Sequence, residues 1–393
     1  MRPVLIAGAV RTPIGKFLGG FARRSAVDLG VAALRGLLER TAVSPSRIQE
    51  VFFGQARQAG GGPNPARQIS VRSGIPEAAC AMTVNQACGS GLRAVALAAQ
   101  SIAQGEADLV VAGGTESMSR VPFFLDRARE GYRLGHGKLI DGMYQDGFHC
   151  PLADELMGKT AENVAAEYRI DRAEQDEYAV ETQRRCGAAI AAGRFRDELL
   201  AVDGHDEKGK PARIEADEHP RPDATLEGLA RLPPVFLEGG TVHAGNSSGI
   251  TDGAAALLVV SEDAARELGL EPLARFDGFA QTGVAPRVMG IGPVPAVRAL
   301  AKRLGRTPGD WDLIELNEAF AAQVIACVRD LGLDRARLNV NGGSIALGHP
   351  IGCTGARIVV TLLHELERRK AKTGLATLCI SGGMGMAMGF VRE

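Results

Sequence analysis

The chain has 393 residues, a formal net charge of −1, 45% hydrophobic residues and 23% charged residues. That balance is ordinary for a globular protein in water, and it gives no bulk electrostatic case for nucleic acid or a membrane surface as a partner. Seven cysteines in so long a chain are too sparse for a disulfide framework and suit a reduced, intracellular setting, so cytoplasm is the expected location. The length implies two or three domains. No signal peptide is expected ahead of the first apolar run, and no apolar run approaches the ~18 residues that a membrane helix requires. The terminal Val391-Arg392-Glu393 is not a peroxisomal address.

In chain order, residues 3–8 read as a buried strand, with Arg11-Thr12-Pro13 in the turn after it. Leu29, Val31, Leu34, Leu37 and Leu38 recur at helical spacing and predict an amphipathic helix over 28–40. A short strand at 51–54, a Gly/Pro loop at 60–65 and a helix at 66–73 follow. The stretch Val84 to Arg93 turns from a β-type run into a strongly helical segment, 92–104, and a buried strand ending in glycines is predicted at 107–114. This βαβ rhythm argues for a parallel or mixed sheet covered on both faces.

From 119 to 246 the chain is richer in charge and loop residues, with helical periodicity only at 160–168 and 174–192. It reads as a domain inserted into a first unit that spans 1–118 and is completed by about 247–269, including a strand at 254–260. The histidines of this region (His136, His149, His205, His219 and His243) read as surface or loop residues and are assigned no chemistry. The last unit, 270–393, carries helices at 295–304, up to Leu331 and at 355–368, and strands at 313–316 and 376–380. The strand at 376–380 reads as the final one, ahead of a closing glycine cluster, 381–385.

Two segments repeat within the chain. Val84-Asn85, then Gly89-Ser90-Gly91-Leu92-Arg93, then a strand into Gly113-Gly114-Thr115-Glu116-Ser117-Met118 form one copy. Val340-Asn341, then Cys353-Thr354-Gly355-Ala356-Arg357, then a strand into Gly382-Gly383-Met384-Gly385-Met386 form the other. A duplicated βαβ domain, its halves face to face with helices buried between two sheets, accounts for this most simply. The loops after corresponding strands then meet near a pseudo-twofold axis, which would bring Cys88, His349 and Cys379 together.

Local chemistry singles out the same residues. Cys88 sits among small residues at a helix N-terminus, where the dipole favours thiolate, the reactive form; the alternative is a buried, inert thiol. His349, flanked by glycine and proline, has little local packing to do and suits activation of a thiol. Cys379 lies at a strand end, where sheet proteins place reactive groups, although a cysteine there, taken alone, is more often a core residue. Asn317 ends a strand and either holds a water or carbonyl or caps the following helix. The sequence contains no Cys-x-x-Cys and no His-x-x-x-His, and His364-Glu365 lacks the second histidine of a metalloprotease helix. It reads as a solvated helix face, and no metal is expected.

Five motifs together resemble the thiolase family: 85–91 around Cys88, Gly113–Ser119, Asn317–Ala321, Gly343–Gly352 around His349, and Cys379–Gly385. The resemblance covers nearly the whole chain in order. It implies an α/β thiolase fold in which duplicated αβα halves form a five-layered αβαβα core with an inserted loop domain. It also implies a reversible acyl transfer between coenzyme A thioesters, with no cofactor beyond those substrates and assembly as a homodimer or homotetramer. Residue by residue, Cys88 would carry the acyl group and His349 would take its proton. Cys379 would move the proton at carbon, and Asn317 would hold a water in an oxyanion hole. The backbone N–H groups of Cys88 and Ser381 would form a second hole. Ser248 would contact the pantetheine arm and Arg221 the nucleotide end, while Met157, Phe236, Ala319 and Phe320 would line the acyl pocket.

Within the family, acetyl-CoA C-acetyltransferase is the preferred expectation, aided by the retained Met157. Thiolysis of longer 3-ketoacyl-CoA is the alternative, because Leu156-Met157-Gly158 departs from the His-Met-Gly of the acetoacetyl-specific branch. Ser381 stands where glycine is common, and its backbone donor survives. A Cys–His hydrolase or a non-catalytic lipid-binding member are the readings from other classes.

Overall fold

The first strand explains how the chain joins its two halves. β1 (Val4–Arg11) is buried along nearly its full length and pairs on one side with β5 (Thr251–Ser261) and on the other, through Leu5↔Arg275 and Ile6↔Ala274 alone, with β6 (Ala274–Gly283). The other strands on the main path of this sheet are β2 (Glu50–Gly54), β3 (Cys80–Val84), β4 (Leu109–Ser117), β7 (Leu313–Leu316), β8 (Thr373–Ile380) and β9 (Met384–Val391). In this computed structural model, which describes residues 2–392, they follow one path, β7-β8-β9-β6-β1-β5-β4-β2-β3. Met1 and Glu393, at the outer limits of the first and last expected units, lie outside the described residues.

The duplication is visible in this order. Outward from the β1–β6 seam, β5, β4 and β2 match β9, β8 and β7. The pairings match as well: two antiparallel steps, then a parallel one. The counterpart of β3 is reduced to a single parallel bridge, Ile314↔Leu338. The two sheets expected from the repeat are therefore hydrogen-bonded into one at the seam. Two strands, β6 and β9, carry no sequence expectation. β9 was hidden because its Met-Gly-Met-Ala-Met-Gly run looks like a loop, yet it is almost wholly buried.

Helices make the other layers. α1 (Ala26–Thr41), opened by a Ser25/Asp28 capping box, and α2 (Pro65–Arg72) cover one outer face through a cluster including Leu34, Leu37, Val51 and Leu258. α6 (Pro293–Leu304) and α7 (Ala321–Leu331) cover the other through Val297, Leu300, Trp311 and Leu316. α3 (Ser90–Gln104) and α8 (Ile351–Arg369) lie between the halves. α8 is buried at every position from Ile351 to Leu363, as expected of a helix with protein on all sides.

Glycine sets how closely α3 and α8 approach. A Cβ on Gly355 would stand 2.2 Å from the Leu92 nitrogen, and one on Gly91 would stand 2.7 Å from the Ala356 nitrogen. These are matching positions of the repeat, so backbone meets backbone at the pseudo-twofold.

The chain between β4 and β5 carries α4 (Met157–Tyr168), α5 (Arg172–Ala191) and a hairpin of Val202–His205 with Pro211–Ile214. Fully buried Arg11 ties it to β1: its guanidinium donates to Glu198, and to both oxygens of Asp217 at 2.6 and 2.9 Å. Among the described residues no helix is long and apolar enough to cross a membrane, and no group of three or more His, Cys, Asp or Glu is placed to hold a metal ion. His364 and Glu365 correct the expectation of a solvated face: His364 Nε2 donates to the Ala9 carbonyl, and Glu365 is buried against Asn341, Arg368 and Arg369.

Candidate active site

The turn after β3 is held by its own side chains. Asn85 Oδ1 accepts from the Ala87 N–H at 3.0 Å, and Ser90 Oγ accepts from the Gln86 N–H at 2.9 Å and donates to the Ala87 carbonyl at 2.6 Å. These bonds fix Ala87 at φ +46, a left-handed conformation costing roughly 1 kcal/mol or more for a residue with a Cβ. The strain sits directly before Cys88 and turns that half-buried side chain out of the elbow. A Cβ on Gly89 would stand 2.6 Å from Ile380, so the elbow presses on the end of β8, where Cys379 and Ser381 lie. Burial pushes the Cys88 thiol pKa up; the Arg57 guanidinium and the N–H groups of Ser381 and Cys88 itself oppose this without reversing it. The helix-dipole expectation of a resting thiolate is thus corrected. Desolvation outweighs it, and the sulfur needs a base.

His349 has the arrangement of one. Its backbone N–H donates to the Gly249 carbonyl at 3.1 Å. Nδ1 is 2.6 Å from Thr354 Oγ1, and that hydroxyl spends its own proton on the Pro350 carbonyl at 3.0 Å. Thr354 therefore accepts, Nδ1 carries the hydrogen, and Nε2 is left as a bare lone pair. Nε2 is buried and has no partner among the described residues. Burial first, then the positive charges of Arg357 and Arg57, lower the imidazole pKa to about 3, so the ring is neutral.

Cys379 is 1% exposed at the end of β8, yet it lines the same cavity as Cys88 and His349. Its thiol is pushed well above the ordinary range by burial and then by the neighbouring Cys88. Asn317 is not a helix cap, since α7 starts four residues later behind Phe320. Its Oδ1 accepts from Ser344 Oγ at 2.6 Å, Ser344 accepts from Arg357 at 2.8 Å, and Asn317 Nδ2 stays buried without a partner. It stands behind the cavity wall rather than on it.

Two carboxylates that local reading did not single out hold the frame. Glu116 accepts from the backbone N–H groups of Ala56, Arg57 and Gly352 at 2.9 to 3.1 Å. Glu318 accepts from Tyr178, Thr182, Asn339 and the Ile345 N–H. Both lie inside quoted motifs, and that was their only signal.

The cavity has a volume of about 490 Å³ and is lined by every expected site residue except Asn317: Cys88, His349, Cys379 and Ser381, then Ser248, Arg221, Met157, Phe236, Ala319 and Phe320. Near Cys379 an apolar cluster gathers Met157, Phe236, Ala319, Phe320 and Met289, the last not foreseen. Phe236 and Phe320 meet edge to face at 6.3 Å, and Gly158 leaves room for the Phe236 ring, 2.2 Å from where a Cβ would be. The Ser248 N–H donates to the Ala319 carbonyl at 3.0 Å, and the Arg221 N–H to Gln183 at 2.8 Å.

Two histidines set aside as loop residues prove to be built in. Fully buried His243 accepts at Nδ1 from the Gly245 N–H and donates from Nε2 to Asp176 at 2.7 Å; Asn246 donates to the same carboxylate at 3.0 Å. This fixes the loop that carries Ser248. His219 lines the cavity and donates to the Ala346 carbonyl at 2.8 Å. Their partners lie 67 and 127 residues away, out of reach of local pattern.

Family models for the Thiolase, N-terminal domain and the Thiolase, C-terminal domain match residues 4–263 and 270–392. An acetyl-CoA acetyltransferase of Chromobacterium violaceum is 52% identical over 389 residues, 99% of each chain. The solved structure of the Bacillus anthracis acetyl-CoA acetyltransferase superposes with a TM-score of 0.97 at 43% identity, covering 100% of this chain and 99% of that one. That of human mitochondrial 3-ketoacyl-CoA thiolase does so with 0.97 at 42% identity and the same coverage. With both family models matched in order and relatives alike from end to end, the chain belongs to the thiolase family.

Proposed function

We propose that the protein is an acetyl-CoA C-acetyltransferase that condenses two acetyl-CoA to acetoacetyl-CoA and CoA, reversibly, through an acyl-enzyme on Cys88. The observation that carries this is the convergence of Cys88, a neutral His349 with a bare Nε2, and Cys379 on one cavity. His349 Nε2 takes the Cys88 proton as sulfur attacks the thioester carbonyl. The N–H groups of Cys88 and Ser381 receive the oxyanion, a contribution of about 3 kcal/mol per donor. The CoA thiolate leaves with the proton of Cys379. The Cys379 thiolate then removes the α-proton of the second acetyl-CoA, whose enolate oxygen faces the newly formed Nε2–H of His349 and a water on Asn317. The carbanion attacks the acetyl group, and Cys88 departs with its proton returned by His349. The kinetics are therefore ping-pong.

A short acyl group suits the aromatic wall of Phe236 and Phe320. Thiolysis of longer 3-oxoacyl-CoA is the second reading, and the observation favouring it is apolar Leu156 on the cavity wall. Coenzyme A thioesters are the small-molecule substrates, and no cofactor is required. We place the enzyme in the cytoplasm, in fatty acid and acyl-CoA metabolism. Assembly as a homodimer or homotetramer is supported by β3, an outermost strand whose Cys80 and Met82 are exposed.

The test is release of free CoA from acetyl-CoA alone, with Cys88→Ala as control. No release by the wild-type protein overturns the reading, and a series of 3-oxoacyl-CoA lengths separates its two forms.

A further inference from the structure

Ser344 is joined to Asn317 by a bond whose direction follows from its other partner. Arg357, buried in α8, donates from Nη2 to Ser344 Oγ at 2.8 Å. A guanidinium only donates, and a hydroxyl that accepts from it has one hydrogen left to give. That hydrogen goes to Asn317 Oδ1 at 2.6 Å. The chain from Arg357 through Ser344 therefore fixes the amide: its oxygen faces Ser344, and Nδ2 faces away. Nδ2 is buried and bonds no described residue. With the amide turned over, the Ser344 hydrogen would meet an NH2 group, and two donors would be opposed in the core.

The bond is not needed to fasten the two segments together. Glu318, next to Asn317, already accepts from the Ile345 N–H at 3.1 Å, and also from Tyr178, Thr182 and Asn339. The Asn317 backbone N–H donates to the Thr377 carbonyl at 3.0 Å, which seats the residue beside the strand that ends in Cys379. Arg357 has its own ion pair, with Glu315 at 3.5 Å. What Ser344 alone supplies is the orientation and polarisation of the Asn317 amide. A chain of bonds that begins on a cation strengthens the bonds along it, so Nδ2–H becomes a better donor. A buried donor without an acceptor costs about 1–3 kcal/mol, and an acceptor that arrives with the reaction removes that cost.

We propose that Ser344 is a positioning residue for the carbon–carbon bond-forming step. It holds Asn317 Oδ1 so that Nδ2–H faces the water that meets the enolate oxygen, and Arg357 sets the direction of its hydroxyl. This rests on the thiolase reading. In that step Cys379 takes the α-proton of acetyl-CoA, and the C–H electron pair moves through carbon to the thioester oxygen, where charge develops. The better the Nδ2–H donor behind the water, the more that charge is stabilised. Acylation of Cys88 places its negative oxygen on the N–H groups of Cys88 and Ser381 instead. Ser344 is thereby coupled to one of the two steps and not to the other.

The experiment compares two single-turnover rates in each enzyme. One is acetylation of Cys88 by acetyl-CoA, read by intact mass. The other is formation of acetoacetyl-CoA from the isolated acetyl-enzyme and acetyl-CoA, read by chromatography after quenching. Ser344→Ala is expected to lower the ratio of the second rate to the first on the order of 30-fold, less than the roughly 100- to 1,000-fold of losing an oxyanion donor outright. Ser344→Gly deletes the same hydroxyl and is expected to do the same, so the test survives if one variant folds poorly. Asn317→Ala is expected to lower this ratio too, and adding Ser344→Ala to it is expected to lower it no further. A wild-type ratio in Ser344→Ala or in Ser344→Gly overturns this proposal alone, even if both rates fall together, as does a further fall in the double variant. A wild type that fails to acetylate Cys88, or acetylates it and forms no acetoacetyl-CoA, overturns the thiolase reading and this proposal together.

Discussion

Thr354 decides which nitrogen of His349 is free, and its removal gives the sharpest test of the base assignment. Replacing it with valine keeps the shape and deletes only the hydroxyl. The Pro350 carbonyl does not suffer, since the backbone N–H groups of Cys353 and Thr354 still donate to it at 2.8 and 2.9 Å. The loss falls on Nδ1–H, which becomes a buried donor without an acceptor, at a cost of about 1–3 kcal/mol. The ring escapes that cost by moving the hydrogen to Nε2, the atom proposed to accept the Cys88 proton. At 1.4 kcal/mol per tenfold, the productive tautomer falls about 5- to 150-fold, and acyl-enzyme formation falls with it. The assay is single-turnover acetylation of Cys88 followed by intact mass, beside steady-state kcat and KM. KM should change little, because Thr354 does not line the cavity, and Thr354→Ser should stay within about threefold of wild type. Wild-type acetylation by Thr354→Val would refute the tautomer argument.

Three further outcomes follow from the same geometry. A neutral Cys88–His349 pair, with the histidine near 3 and the thiol raised, predicts a flat kcat/KM through the neutral range; an acid limb near an ordinary histidine value of 6.5 would contradict it. The same histidine lowers stability as pH drops from 6.5 toward about 3, because the unfolded chain takes that proton first, and His349→Gln should flatten this part of a denaturation-versus-pH series. Gly355→Ala forces a methyl into the Leu92 backbone and should cost about 3 kcal/mol in chemical denaturation; an unchanged midpoint would show that α3 and α8 separate freely. Asp176→Ala strands the His243 Nε2–H, so the loop bearing Ser248 loosens; KM for CoA should rise about tenfold while kcat moves less, and equal falls in both would place Asp176 elsewhere.

Much of the frame was legible because its causes are local. The apolar spacing from Leu29 to Leu38 marks α1, and the run at Leu313–Leu316 marks β7 to the residue. The repeated Val-Asn and Gly-x-Arg landmarks carried the duplication, since each copy must turn the same corner and cross its twin at Gly91 and Gly355. β6 and β9 escaped because burial inside a sheet lets glycine, alanine and methionine serve as strand residues, with the neighbouring strands supplying what propensity lacks.

The sequence by itself singled out the side chains proposed to carry the chemistry and their order along the chain: Cys88 at a tight elbow, His349 between glycine and proline, Cys379 at a strand end. Only the tertiary structure decided their states. Desolvation pushed the Cys88 thiol up, Thr354 set the hydrogen of His349 on Nδ1, and Asp176 took the hydrogen bond of His243 Nε2. Charge, tautomer and pairing depend on what lies within a few ångströms, and here those neighbours come from segments far apart in the chain.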